Sequence, residues 1–79
     1  IKVFPNPAND KIYFKISDER YLKDKFGIEI FDVNLKIVYR MNEDILPPSI
    51  DISNFVSGVY LIKIKSQGNS VYQKFVVER

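Results

Sequence analysis

The chain has 79 residues, enough for one domain, and its content of 46% hydrophobic, 14% aromatic and 28% charged residues favours a folded domain over a disordered segment. Its 12 basic and 10 acidic residues are scattered and give a net charge of +2, so the sequence predicts neither a nucleic-acid footprint nor a polybasic membrane patch. The lack of cysteine excludes disulfides and thiolate metal sites, and no apolar run approaches the roughly 20 residues that cross a bilayer.

Short runs in which apolar and polar residues alternate recur along the whole chain, and this period of two is typical of half-buried strands. No helical period persists for three turns. About seven short strands at a spacing of roughly 8–12 residues predict an all-β, antiparallel, immunoglobulin-like sandwich. The expected strands, in chain order, are residues 1–4, 11–16, 26–32, 36–41, 49–52, 59–65 and 70–77.

The alternation also indicates which side chains of four of these strands face the core, because successive residues of a strand point to opposite faces of the sheet. Charged side chains alternate with them and are expected on the outer faces. The side chains expected to point inward are those of Ile12, Phe14, Ile16, Ile28, Ile30, Ile50, Ile52, Tyr60, Ile62 and Ile64.

Two pairs of prolines mark positions where strands end, because proline has no backbone N–H and fixes φ. Pro5 and Pro7 interrupt the first strand, and the Asn and Asp residues that follow them are typical of turns. We therefore predict a rigid corner over residues 5–10. Pro47 and Pro48 likewise end any strand at that point.

Three further connections are predicted from polar residues. Residues 17–25 are expected to form a loop or one helical turn. Residues 33–35 predict a short hairpin turn, in which Leu35 stands where glycine would be easier to accommodate. Residues 66–69 include a glycine and predict a hairpin between the last two strands. This final hairpin contains the longest β-rich run of the chain and is expected at the centre of the core.

Two residues near the start of the sixth strand carry specific structural expectations. Tyr60 follows a turn, at the position where immunoglobulin-like sandwiches often place a tyrosine whose hydroxyl bonds back to the backbone. We expect it to be a core anchor of that kind. Gly58 is expected to supply a positive φ, or a close backbone approach that a Cβ would prevent.

The sequence offers little for catalysis, since it contains neither histidine nor cysteine. Its carboxylates fall mostly in predicted loops, where solvated turn residues are the favoured interpretation. A facing pair such as Asp32 with Asp51 stays open. No calcium-loop spacing is present. We therefore predict no enzyme, no catalytic or metal-binding residues and no cofactor.

Exposed aromatic residues would allow one kind of binding site. Tyr13, Phe31 or Tyr72 could form a platform on which sugars stack. The chain has no tryptophan and no clear aromatic cluster, so core packing or cross-strand pairing is the favoured interpretation of these residues.

Three segments, in this order, carry a resemblance to a known family. They are Val-Phe-Pro-Asn-Pro-Ala at residues 3–8, Asp-Ile-Ser-Asn-Phe-Val-Ser-Gly-Val-Tyr at residues 51–60, and Lys-Phe-Val-Val at residues 74–77. Together they resemble the C-terminal sorting domain of the type IX (Por) secretion system of Gram-negative bacteria, over essentially the whole chain. The chain departs from the family pattern at Phe55 and Val56, where Leu and Pro are frequent.

The resemblance implies a seven-stranded β-sandwich at the C-terminus of an exported protein. Such a domain directs the upstream cargo through the outer-membrane translocon, and a sortase-like peptidase commonly removes it and anchors the cargo to surface lipopolysaccharide. The implied location is the periplasm in transit, then the cell surface or the medium. By position, the recognition motifs are Pro5, Asn6, Pro7, Ala8, Gly58, Tyr60, Lys74, Phe75, Val76 and Val77.

The leading interpretation is therefore a non-catalytic sorting signal, read through a strand edge or surface patch of the final hairpin. Outward-facing Val59 and Leu61, beside Lys63 and Lys65, are the candidate patch unless a second sheet or a neighbouring domain covers them. The alternative is an immunoglobulin-like binding or spacer module of a secreted surface enzyme or adhesin. Because the chain does not begin with Met, we expect residues 1–79 to be a single domain within a longer exported protein.

Overall fold

A computed structural model describes residues 2–15, 25–44, 47–66 and 68–79, with the side chain of Glu43 excepted. These residues contain seven strands and no helix, which confirms the all-β prediction. Ile16 and nearly all of the polar segment 17–25 lie outside the described residues. The strands are β1 (Lys2–Phe4), β2 (Lys11–Lys15), β3 (Phe26–Phe31), β4 (Ile37–Glu43), β5 (Ser49–Asp51), β6 (Gly58–Ser66) and β7 (Asn69–Val77).

The strands form two antiparallel sheets, as the predicted sandwich requires. Sheet A has three strands in the order β1-β2-β5, and sheet B has four in the order β4-β3-β6-β7. The inner faces of the two sheets bury one apolar cluster. A valine, isoleucine or phenylalanine side chain contributes about 1.5–3 kcal/mol to stability when it is fully buried. The buried hydrophobic residues are Val3, Ala8, Ile12, Phe26, Ile28, Ile30, Ile50, Ile52, Tyr60, Ile62, Ile64, Phe75 and Val77.

The predicted inward-facing residues are confirmed wherever the structure describes them. All of them are buried except Phe14, which is half-buried and packs against the core cluster. The agreement follows from the strict alternation of these strands, since a slip of one residue would move every apolar side chain to the solvent face.

The prediction that the final hairpin lies at the centre of the core is correct for only one of its strands. β6 pairs with both β3 and β7, whereas β7 is the last strand of sheet B. The hairpin is also paired closer to its turn than predicted, because Ser66 pairs with Asn69. Within it, Gly68 has a φ of 76°, the left-handed conformation that glycine adopts without a steric cost.

The β3–β4 turn forms where the sequence predicts it and is held by local hydrogen bonds. Asp32 Oδ1 accepts from the backbone N–H groups of Asn34, at 2.9 Å, and Lys36, at 3.0 Å. Leu35 has a φ of 62°, so the residue that looked out of place in the turn does take up a left-handed conformation. Its side chain remains exposed.

Candidate recognition surface

The predicted proline corner lies against the free edge of β7, the strand at the other end of the chain. Ala8 is buried, and its backbone N–H donates to Val76 O at 2.7 Å while its carbonyl accepts from Glu78 N–H at 2.9 Å. Asn6 Oδ1 accepts from the N–H of Val76 at 2.9 Å. The corner therefore satisfies backbone groups that an edge strand would otherwise leave unpaired.

A second contact joins the first and last strands. The side-chain amide of Gln73 donates to Val3 O at 2.8 Å, and its Oε1 accepts from Val3 N–H at 3.0 Å. Gln73 thus satisfies backbone groups of the edge strand β1, as Asn6 and Ala8 satisfy those of β7. We call these contacts, made by Val3, Asn6, Ala8, Gln73, Val76 and Glu78, the seam. The seam brings the first and third sequence motifs together.

Tyr60 has the role predicted from its position. Its hydroxyl donates to Val56 O at 2.7 Å, four residues earlier in the chain. Its ring lies between those of Phe55, at 5.1 Å between centroids, and Phe75, at 5.7 Å. Since Tyr60 also pairs with Phe75 across the two strands, it joins the second motif to the third inside the core.

Gly58 has a positive φ, the first of the two alternatives predicted for it. Its value of 159° lies beside the extended region and far from the left-handed helical one. Apart from atoms of Gly58 and its two chain neighbours, no atom of the described residues lies within 4 Å of the position that a Cβ would occupy, so the second alternative, a close backbone approach, is absent there. Gly58 pairs with Val77 in the β6–β7 ladder, which places it beside the seam.

Arg79 binds the loop that precedes β6. The Arg79 guanidinium donates to the carbonyls of Ile52 and Ser53, and the N–H of Ile52 donates to Asp10 O at 2.8 Å. Hydrogen bonds from the Ser53 hydroxyl and the Ser53 backbone N–H lower the pKa of Asp51 below its ordinary value of 3.8. All three sequence motifs therefore meet at one end of the sandwich.

The other motif side chains are divided between the inside and the outside. Phe75 and Val77 point into the core, whereas Lys74, which precedes Phe75, is exposed, as the alternation along β7 predicts. Val76 is half-buried on the same outer face as Lys74. Pro5 and Pro7 are exposed, and both prolines follow cis peptide bonds.

The structure answers two of the questions that the sequence left open. Asp32 and Asp51 do not form a facing pair, because each carboxylate binds N–H groups of its own turn and only Asp51 belongs to sheet A. Tyr13, Phe31 and Tyr72 do not form one platform, since Tyr13 lies in sheet A and β6 separates the other two. No group of three or more potential metal-ligating side chains occurs among the described residues.

Gln73 and Arg79 contribute side-chain hydrogen bonds to this region, and the sequence motifs include neither of them. Gln73 did carry a signal, because it is a polar residue in the inward register of β7, which continues with Phe75 and Val77. A buried polar group needs a partner, so this position pointed to a hydrogen bond. Arg79 lies beyond the last strand, and strand alternation carries no information about it.

These features define a small antiparallel β-sandwich whose three sequence motifs are joined by the hydrogen bonds of the seam, the Tyr60–Phe75 ring contact and the Arg79 guanidinium. No helix within the described ranges is long and apolar enough to span a membrane. The family model for the secretion system C-terminal sorting domain matches residues 2–78. The chain belongs to this family of type IX sorting domains, which is a family of signals and not of enzymes. Proteins with such a tail are secreted or displayed at the cell surface.

A curated relative illustrates the setting of such a domain. The chain is 31% identical over 78 residues to Beta-agarase D of Zobellia galactanivorans, a match that covers 98% of this chain. The same match covers 15% of the relative. In that protein, therefore, the matching segment is a small part of a much longer chain.

Proposed function

We propose that this chain is the sorting signal of a longer exported protein and directs the cargo attached upstream of it through the outer-membrane translocon. The cargo crosses the periplasm and then reaches the cell surface or the medium. A sortase-like peptidase is the proposed partner for removal of the domain. The domain itself takes part as a recognition element, and any catalytic activity belongs to the cargo.

The observation that carries this proposal is the family match over residues 2–78, together with the convergence of the three motifs. Ala8, Tyr60 and Val76 come from the three motifs and lie at one end of the sandwich, linked through the seam and the Tyr60–Phe75 ring contact. A signal recognised as a folded surface requires such a convergence, because the motifs are far apart in the sequence. The long relative of which the match covers 15% supports the presence of cargo in the same chain.

A reporter fusion tests the proposal. A folded reporter with an export signal and the 79-residue chain at its C-terminus should reach the surface or the medium of a type IX-competent cell. The matched control is the same fusion in a strain without the translocon, where it should stay in the periplasm. A fusion that stays in the periplasm of the competent strain would contradict the proposal and favour the binding or spacer module.

Deletion of residues 74–79 should also leave the reporter in the periplasm, but this deletion cannot separate recognition from folding. It removes Val76 and Glu78, whose backbone groups bind the corner, as well as buried Phe75 and Val77. A point variant on the surface is needed for that distinction.

A further inference from the structure

We propose that a protein of the secretion machinery docks on an apolar patch of sheet B that surrounds Lys74, and that its docking surface carries a carboxylate facing this lysine. This inference rests on the proposed sorting function and identifies the surface through which that function operates. The patch consists of Phe31, Ile37, Val59, Leu61 and Val76 together with Lys74. We call it the Lys74 patch.

The pairing of four neighbouring strands places these side chains side by side on the outer face. Phe31 pairs with Ile37 on one side and with Leu61 on the other, and Leu61 pairs with Lys74. Val59, next to this row, pairs with Val76 of the edge strand.

The second sheet does not cover these residues, since it packs on the opposite face of sheet B. Ile37 is 38% exposed and Val59 is 40% exposed, while Phe31, Leu61 and Val76 are half-buried. Contiguous apolar side chains on a solvent-facing sheet are typical of an interaction site.

Lys74 is the charged residue of this patch. It has no ion-pair partner among the described residues, and its cross-strand neighbour is Leu61. The alternation of β7 directs it to solvent while Phe75 is buried. A cation surrounded by apolar side chains is complementary to an apolar surface that carries one acidic group.

The neighbouring row of the same face differs, because its charges bind one another. Glu29 Oε2 accepts from Arg40 Nη2 at 2.7 Å and from Arg40 Nε at 3.1 Å, and Glu29 Oε1 lies 3.9 Å from Lys63 Nζ. Lys63 Nζ is also 5.9 Å from the centroid of the Tyr72 ring. Lys63, which the sequence suggested as part of the binding patch, therefore already has partners within this sheet.

The charge of the Lys74 patch favours a different protein over a second copy of this chain. A two-fold contact of the patch with itself would bring in a second Lys74 and no acidic residue to face either of them. The nearest acidic side chain that pairing places on this face is Glu29, which is engaged by Arg40 and Lys63. A lipid surface is also a poor fit, since juxtamembrane lipid-binding sites use about 4–8 basic residues.

The test measures export of the reporter fusion with changes at Lys74. Lys74→Glu should reduce export at least tenfold (about 1.4 kcal/mol or more), because like charges that face each other across an interface weaken docking strongly. Lys74→Arg should retain export. Lys74→Met keeps a long apolar side chain without the charge, and it should reduce export because the carboxylate of the partner loses its cation. Lys65→Glu is the matched control, since Lys65 is exposed on the same sheet face but outside the patch.

Each outcome supports or overturns the inference. If the wild-type fusion is exported, and a Lys74→Glu variant with normal thermal melting is exported equally well, the inference is overturned and the sorting function stands. Equal losses for Lys74→Glu and Lys65→Glu overturn it in favour of general charge attraction. Full export of Lys74→Met overturns the inference that the partner carries a carboxylate facing Lys74. A wild-type fusion that is not exported contradicts the sorting function itself.

Two measurements on the purified 79-residue chain distinguish the other occupants. Sedimentation should show a monomer. A dimer that Lys74→Glu dissociates would overturn the inference in favour of a second copy. Flotation with vesicles of anionic phospholipid should show no binding that depends on Lys74. Binding that Lys74→Glu abolishes would overturn the inference in favour of a lipid surface.

Discussion

The seam and the β3–β4 turn both close parts of the sandwich, but their contacts span very different distances along the chain. In the turn, Asp32 binds N–H groups two and four residues away. In the seam, Asn6 and Gln73 each bind a residue 70 positions away. A local turn closes at a small entropic cost, whereas closing a contact over 70 residues costs more chain entropy, so the seam depends on the two sheets to hold its segments together.

This difference shows what the first and third motifs do within the fold. The proline corner covers the outer edge of β7 near its end, and Gln73 satisfies the backbone of Val3 in β1. An exposed edge of this kind would otherwise invite pairing with another chain. The corner and the last strand therefore form one structural unit, and changes in either one should affect the stability of both.

Gln73→Ala should have the largest effect, because it removes both hydrogen bonds of the Val3 backbone. A buried backbone group without a partner costs about 1–3 kcal/mol, and we expect a loss in that range by urea unfolding. Asn34→Ala is the control in the β3–β4 turn, since its exposed side chain should matter by no more than about 0.5 kcal/mol. Equal stabilities of the two variants would contradict the distinction between the seam and the turn.

Tyr60→Phe should destabilise the domain by about 1 kcal/mol, the contribution of a typical hydrogen bond. The change removes the hydroxyl that donates to Val56 O and retains the ring between Phe55 and Phe75. Thermal melting checks this expectation. Because the bond spans only four residues, the variant should accelerate amide exchange at Val3 by no more than the loss of global stability allows, whereas Gln73→Ala opens the seam locally and should accelerate it further. Acceleration at Val3 in Tyr60→Phe beyond that limit would mean that the core anchor and the seam are coupled.

Leu35→Gly should stabilise the domain slightly. A left-handed conformation costs an L-residue about 1–2 kcal/mol, and the extra freedom of glycine in the unfolded chain offsets about 0.5–1 kcal/mol of that gain. We therefore expect a net increase of about 0–1.5 kcal/mol in the free energy of unfolding. Leu35→Val is the control and should be destabilising, because β-branched residues tolerate positive φ poorly. A loss of stability in Leu35→Gly would show that the exposed leucine makes favourable contacts in the turn.

The smallest effect concerns acid, and it tests another local turn. Because the pKa of Asp51 is lower in the folded protein than its ordinary value of 3.8, its ionised form stabilises the fold. This contribution is fully present above the ordinary value and is lost as the pH falls through the lower folded value. Asp51→Asn should therefore flatten the fall of the urea midpoint with acid. Parallel curves for the variant and the parent would contradict a stabilising role of the charge.

The sequence alone determined the strands and the direction of most of their side chains. The alternation around Ile12, Ile28 and Ile62 sufficed for this, because a period of two is a local property that requires no knowledge of the partner strand. The position of Tyr60 after a turn likewise predicted its backbone hydrogen bond, which spans only four residues. The motifs also sufficed to recognise the family.

The tertiary structure decided which of these elements meet. Nothing in residues 5–8 indicates that their partner is β7, and the pattern of β7 does not show that it is an edge strand. The sequence placed Lys63 and Lys65 beside the candidate patch, but only the sheet order shows Glu29 next to Lys63 and Leu61 next to Lys74. The physical reason is that alternation determines the face on which a side chain lies, whereas its neighbours on that face depend on strand order and register, which long-range pairing determines.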